Sequence, residues 1–257
     1  MSDLHLEFDT IDSKLLAPPA EDRSNDVLIL AGDIAPWQTH KMSVLKMLWC
    51  VSKSYHHVIY IPGNHEFYHG ILSDVLFDLE ETLSIEFTNV TMLNNTSIRI
   101  DDVYIFGSVF WTDINWSDPV AALQIQRSLA DFQCIRTTPN AVLRPLDTYD
   151  FNIESTNAYL KFMKDNQDVQ KKIVVTHHVP TMIGLQSKYI GSPLNYAFRC
   201  THLDDHLMLG DGPAYWIHGH THIADTMILG NTHVLCNPKG YPGEISGFDP
   251  TRCFEFA

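Results

Sequence analysis

Basic side chains are scarce in this chain of 257 residues: 17 Lys and Arg face 31 Asp and Glu, for a formal net charge of −14. Duplex nucleic acid is held through many Lys and Arg contacts to phosphate. The balance therefore speaks against a long nucleic acid as partner, and equally against an anionic membrane surface. Cysteine is sparse too. Cys50, Cys134, Cys200, Cys236 and Cys253 are scattered, odd in number and form no Cys-x-x-Cys pair, which argues against a disulfide framework or a thiolate zinc site. No stretch approaches the roughly 20 apolar residues that span a bilayer. Met1 to Asp12 is acidic and polar rather than a basic-then-apolar leader, so the expected location is cytoplasmic. There is no internal repeat and no low-complexity linker. The apolar content, 45%, is too high for a disordered chain. One domain over residues 1–257 with a sizeable core is the expectation.

Short apolar runs alternate with longer helical stretches. Residues 26–31, 57–61, 172–176 and 215–217 read as strands buried on both faces, each ending at a polar cluster. Residues 39–55, 70–83, 119–132 and 148–168 read as helices. Alternation of this kind predicts an α/β fold. Residues 91–109 read as two or three antiparallel strands with turns at Asn94-Asn95 and Asp101-Asp102. Gly230-Asn231 is a hairpin signal between 225–229 and 232–236. Mixed sheets follow. Residues 184–213 read as a long functional loop with a short helix.

The informative pattern is where Asp, Asn and His fall. Asp3-Leu4-His5 opens the chain. Gly32-Asp33, Gly63-Asn64-His65-Glu66, His177-His178 and Gly219-His220-Thr221-His222 each follow an expected strand, and the carboxyl ends of strands are where open α/β sheets bind ligands. Residues two apart in an extended segment point the same way, so Asp3 with His5, and His220 with His222, are expected to present paired ligands from extended backbone. A Gly before Asp33, Asn64 and His220 is expected to permit unusual turns. Oxygen and imidazole donors suit Mn, Fe, Zn or Co. Asp3, His5, Asp33, Asn64, His177, His220 and His222 are too many for one tetrahedral ion and enough for two that share Asp33.

In that order these motifs, spanning Asp3 to His222, resemble the calcineurin-like metallophosphoesterases. The resemblance implies a four-layer αββα sandwich of two mixed β-sheets flanked by helices. It implies two divalent metal ions, one on Asp3, His5, Asp33 and His222, the other on Asp33, Asn64, His177 and His220. It implies hydrolysis of phosphate esters by a hydroxide held between the ions, with His65 assisting the leaving group. A small phosphomonoester, phosphodiester or nucleotide is the expected substrate, and no oligomeric state is implied. A scaffold that keeps the fold without catalysis, and a nuclease, are the alternatives; the first would break the ligand set and the second would need a basic groove.

The chain departs from the family pattern twice. Pro36 stands where many members carry an Asp, so the partner of His65 is unassigned. Only Met1 and Ser2 precede Asp3, where members have an apolar strand, so the Asp3–His5 segment is expected to be loosely held. His178 is expected to point away from the ligands. Phe110-Trp111-Thr112-Asp113, Lys239 and Arg199 are weighed as pocket residues against ordinary packing. His40, His56, His57, His69, His202, His206 and His233 match no motif and read as structural or surface residues.

Overall fold

A computed structural model describes residues 1–8 and 23–256. The part of the acidic opening from Asp9 to Asp12 lies outside the described residues. The small sheet is parallel, in the order β1 (Val27–Ala31), β2 (His57–Ile61), β3 (Val90–Met92). The large sheet is mixed. Its edge strand β4 (Thr96–Ile100) pairs antiparallel with β5 (Val103–Ser108). A separate two-stranded ribbon follows, β6 (Arg136–Thr138) with β7 (Ala141–Val142). The large sheet then continues through β8 (Lys172–Thr176) and β9 (Tyr215–His218). It ends with β11 (Thr232–Cys236) and the antiparallel edge β10 (Asp225–Leu229).

Alternation along each strand assigns side chains to three separate cores. In β1, Leu28 and Leu30 face one way, packing with Val58 and Tyr60 under helices α1 (Trp37–Val51) and α2 (Leu72–Glu86). Ile29 and Ala31 face the other way and meet Ile59, Ile61, Ile105, Ile173, Val175 and Ile217 between the sheets. On the far face of the large sheet Phe106, Val174 and Trp216 pack against Tyr159 and Phe162 of α5 (Pro145–Asp165). Helix, sheet, sheet, helix is thus dictated by three apolar layers. Each fully buried aliphatic side chain contributes about 1.5–3 kcal/mol to holding them.

Residues 91–109 do not form one meander. Val90–Met92 runs parallel to β2, whereas Thr96–Ile100 and Val103–Ser108 join the other sheet. Buried Leu93 sits in the layer between the two sheets. The expected helix over 119–132 is two pieces, α3 (Pro119–Ser128) and α4 (Asp131–Cys134), separated by extended Leu129. Helix α5 begins earlier than expected, because Pro145 fits the first helical turn and Asp147 accepts from the Arg144 amide. Within 184–213 the chain makes turns at Ser187–Tyr189 and Pro193–Ala197 and the short helix α6 (Asp204–Met208).

Candidate metal centre

Strands β1, β2, β8 and β9 all end at one rim, and their trailing loops interlock. The Gly219 amide donates to the His177 carbonyl, at 3.0 Å. The His177 ring reaches across to the other sheet, where Nδ1 meets the Ala31 carbonyl at 2.9 Å. Glu66, fully buried, ties the first two loops together. It accepts from the amides of Asp33, Ile34 and Gly63 and from the Tyr60 hydroxyl. Burial, reinforced by the charge of Asp33, pushes its pKa up to about 7.

The Asp3–His5 segment is not loosely held. Residues 1–6 lie between β1 and the loop after β11. Amides of Asp3, His5 and Leu6 donate to carbonyls of Gly32, Asp33 and Ile34, while Lys239 and Gly240 donate to Ser2 and Asp3. Asp3, Leu4 and His5 are fully buried. The segment is not extended either. Asp3, His5, Asp33, His220 and His222 all have φ between 49° and 72°, the left-handed region, so the paired ligands converge through turns rather than through strand alternation. Gly32, at φ 86°, turns as expected. Gly63 serves a different need. A Cβ there would lie 2.2 Å from Asp33 Oδ1, so close approach of backbone to ligand is what requires glycine.

All seven expected ligands gather around Asp33. Its Oδ1 accepts the His65 amide at 2.9 Å, leaving Oδ2 to face 3.3 Å toward His177 Nε2 and 3.9 Å toward His5 Nε2. On one side stand His5 and His222, with Nε2 atoms 3.1 Å apart, and Asp3 Oδ1 lies 3.4 Å from His222. On the other side His177 Nε2 lies 2.9 Å from Asn64 Oδ1 and 3.1 Å from His220 Nδ1. Donors about 2.1 Å from one cation are separated by about 3.0 Å (octahedral) to 3.4 Å (tetrahedral), so these spacings suit coordination. Asp3, His5 and His222 can hold one cation, and Asp33, His177 and His220 another.

Proton bookkeeping supports the same reading. His5 Nδ1 meets Glu7 at 3.0 Å and His222 Nδ1 meets Glu244 at 2.7 Å. Carboxylates only accept, so in the neutral rings both Nε2 lone pairs point at each other. His177 donates through Nδ1 to Ala31, so in the neutral ring its Nε2 lone pair points inward. The Asn64 amide nitrogen donates to Asp131 at 2.9 Å, turning Oδ1 inward as well. Converging lone pairs are repulsive unless a cation or a proton sits among them. Outer partners that fix the free imidazole nitrogen are a hallmark of metal-ligating histidines. The pKa shifts reflect the crowding. Burial lowers His177, but the charge of Asp33 outweighs it and lifts the ring to about 10. Burial drives His220 well below its usual value.

His65 is 7% exposed and lies beside the pair. Its Nε2 sits 4.0 Å from Asp33 Oδ2 and 3.3 Å from the Tyr241 hydroxyl, and its ring stacks on Tyr68 at 4.2 Å. Its Nδ1 donates to Glu7 Oε1 at 2.9 Å. Glu7 therefore supplies the acceptor that Pro36 cannot, and it holds His5 and His65 with the same oxygen. Burial lowers the His65 pKa, but Asp33 and Glu7 together push it up to about 9.

His178 stays out of the donor set. Its Nδ1 meets the Val109 carbonyl, its ring packs on Trp111 and His220, and burial takes its pKa down to about 3. Asp113 is a clamp, accepting from the Thr201 amide and hydroxyl. Arg199 Nη1 donates to the carbonyls of Thr181 and Ile183. Glu66 stands in the Gly63–Glu66 motif but has no role assigned from sequence, and Glu7, Asp131, Tyr241 and Glu244 have none either. Glu7, Asp131 and Glu244 act on His65, Asn64 and His222, which other segments contribute.

The model of the calcineurin-like phosphoesterase family matches residues 1–224. An uncharacterized protein of Acanthamoeba polyphaga mimivirus is 30% identical over 97% of this chain and 93% of its own length. Among solved structures, phosphopantetheinyl hydrolase from Mycobacterium tuberculosis superposes with a TM-score of 0.73. It shares 16% identity and covers 96% of this chain and 92% of that one. A putative 5'-nucleotidase from Staphylococcus aureus, in complex with alpha-ketoglutarate, gives a TM-score of 0.52 at 16% identity over 93% of this chain and 47% of its own. The αββα layers and the rim of oxygen and imidazole donors define a metal-dependent phosphoesterase. The chain belongs to the calcineurin-like phosphoesterase family. Among the described residues no helix is long and apolar enough to cross a membrane.

Proposed function

We propose that the protein hydrolyses small phosphate esters with two divalent cations. Asp3, His5, Asp33 and His222 hold one, Asp33, Asn64, His177 and His220 the other, and Mn, Fe, Zn and Co all match the donor set. The observation that carries the proposal is the convergence of oxygen and imidazole donor atoms on both sides of Asp33 Oδ2. Cations bound there supply Lewis acidity toward a phosphoryl group and offset its charge. Asn64, fixed by Asp131, keeps its oxygen turned inward. Glu7 accepts from His65 Nδ1–H and, with Asp33, favours the imidazolium, whose Nε2–H is the proton delivered to the leaving oxygen. Tyr241 covers His5 and His222, with ring centroids 4.4 and 4.5 Å away, and limits water on that side. The negative overall charge favours a small ester over a long nucleic acid.

The test is metal content by elemental analysis together with hydrolysis of 4-nitrophenyl phosphate and bis(4-nitrophenyl) phosphate. Protein loaded with Mn, Fe, Zn or Co is compared with Asn64→Ala. Two bound equivalents and turnover that falls in the variant are expected. Protein that binds no metal and turns over neither ester in any of the four would overturn the proposal.

A further inference from the structure

A cavity of about 520 Å³ opens beside the metal centre, within the roughly 300–1,000 Å³ range of pockets that enclose small ligands. Two of its wall residues adjoin the ligand shell. Thr221, between the ligands His220 and His222, forms part of its wall. Phe198, another wall residue, packs on the His220 ring with centroids 4.6 Å apart. The rest is largely apolar, including Leu129, Leu185, Leu194, Ile223 and Met227. The cation in the wall, Arg199, donates through Nη1 to the carbonyls of Thr181 and Ile183, and the carboxylate of Asp225 lines the same space.

We infer that this cavity receives the organic part of the phosphoester, and that this part is uncharged and mainly apolar, bearing no second phosphate. The inference rests on the phosphoesterase reading above and narrows its substrate class. Two observations decide it. A second phosphate or a polyphosphate chain would need convergent cationic donors, whereas the described wall carries a single guanidinium, Arg199, with its Nη1 group engaged and an aspartate in the same wall. A largely apolar wall next to the metal ligands is complementary to hydrocarbon and repays its desolvation.

The experiment compares methyl, butyl and hexyl phosphate with glycerol phosphate and adenosine diphosphate on Mn-loaded protein, followed by phosphate release. Calorimetry with methylphosphonate and hexylphosphonate reads binding without turnover. Each methylene buried is worth roughly a fourfold gain, so kcat/KM is expected to rise at least tenfold from methyl to hexyl phosphate. Hexylphosphonate is expected to bind at least tenfold tighter than methylphosphonate. Leu185→Arg, which puts a charge in the wall, is expected to remove the hexyl gain and to cost hexyl phosphate far more than methyl phosphate. Tyr189→Glu, at an exposed wall position, serves as the second variant. Turnover without dependence on chain length, preference for adenosine diphosphate, or equal losses on methyl and hexyl phosphate would overturn the inference and leave the phosphoesterase reading standing. Absence of all turnover and binding would overturn both.

Discussion

Replacing Glu7 by Gln isolates the group that stands in for the missing aspartate at Pro36. One carboxylate oxygen receives Nδ1–H from both His5 and His65, at 3.0 and 2.9 Å, and the Glu7 side chain is 8% exposed. Hydrogen bonds to a charged partner contribute about 1.5–3 kcal/mol each. The bond to His65 is the one that acts on the reaction, so its loss converts to a fall in kcat of roughly 10- to 150-fold at saturating metal. The bond to His5 orients a ligand, and loss of such an outer partner weakens metal binding by roughly 10- to 100-fold. The assay is steady-state kinetics on Mn-loaded protein with two esters. The loss should be large on an alkyl phosphate, whose leaving oxygen must be protonated, and small on 4-nitrophenyl phosphate, whose leaving group departs as the anion. In a His65→Ala background the same change should cost no further kcat yet still weaken metal binding. Unchanged kcat on the alkyl ester at saturating Mn, or equal losses on both esters, would refute the positioning role.

Asp131→Ala frees the Asn64 amide and the Tyr68 hydroxyl from their shared acceptor; metal titration should show one of two cations bound roughly 10- to 100-fold more weakly. Glu66→Gln places an amide against backbone N–H donors of Asp33 and Gly63, or of Ile34 with the Tyr60 hydroxyl. Unsatisfied buried donors cost about 1–3 kcal/mol each, so urea unfolding should show a loss of about 2–6 kcal/mol. Asp113 has its pKa held below the usual value: burial raises it, but His202 and the Thr201 hydrogen bonds prevail. A depressed carboxylate stabilises the fold above its unfolded pKa of about 3.9 and loses that contribution as pH falls through the lower folded value. The stability gap between wild type and Asp113→Asn, measured by urea melts at pH 6 and pH 2.5, should therefore shrink at the acid end. Removing cations with a chelator should lower Tm, because the donor set binds them in the folded state alone.

Much of the architecture was legible because strand alternation and strand ends are local signals. Leu28 and Leu30 against Ile29 and Ala31 already encode two layers, and the polar residues after Ala31, Ile61, Thr176 and His218 mark one rim. Residues 91–109 misled because β3 is three residues long and β4 is a largely exposed edge strand, too short or too polar to announce its sheet, and only three-dimensional packing divides Met92 from Thr96. The donors were legible because Asp, Asn and His recur after strands. Their backbone was not: the i, i+2 spacing of Asp3 and His5 looks extended, while both residues are left-handed. Glu7, Asp131 and Glu244 were invisible for a different reason. Each acts on a residue contributed by another segment, His65, Asn64 or His222, and carries no motif of its own.

Five ligand residues in the left-handed region raise an energetic question, since each such non-glycine residue costs about 1–3 kcal/mol in a domain whose net stability is of order 5–15 kcal/mol. The arrangement persists because each turn is fixed from both sides. Asp3 donates its amide to Gly32 and accepts at its carbonyl from Gly240, and the amide of His220 donates to the Asp3 carboxylate. Asp33 donates to Glu66 and accepts from the His5 amide. The loops after β1, β9 and β11 and the segment 1–6 are thus one hydrogen-bonded unit, and Asp3, His5, Asp33 and His220 cannot relax to ordinary backbone without breaking a bond to another segment. That coupling explains why the donors stay within 3–4 Å of one another. The strain is local, while the restraint against releasing it is spread across both sheets.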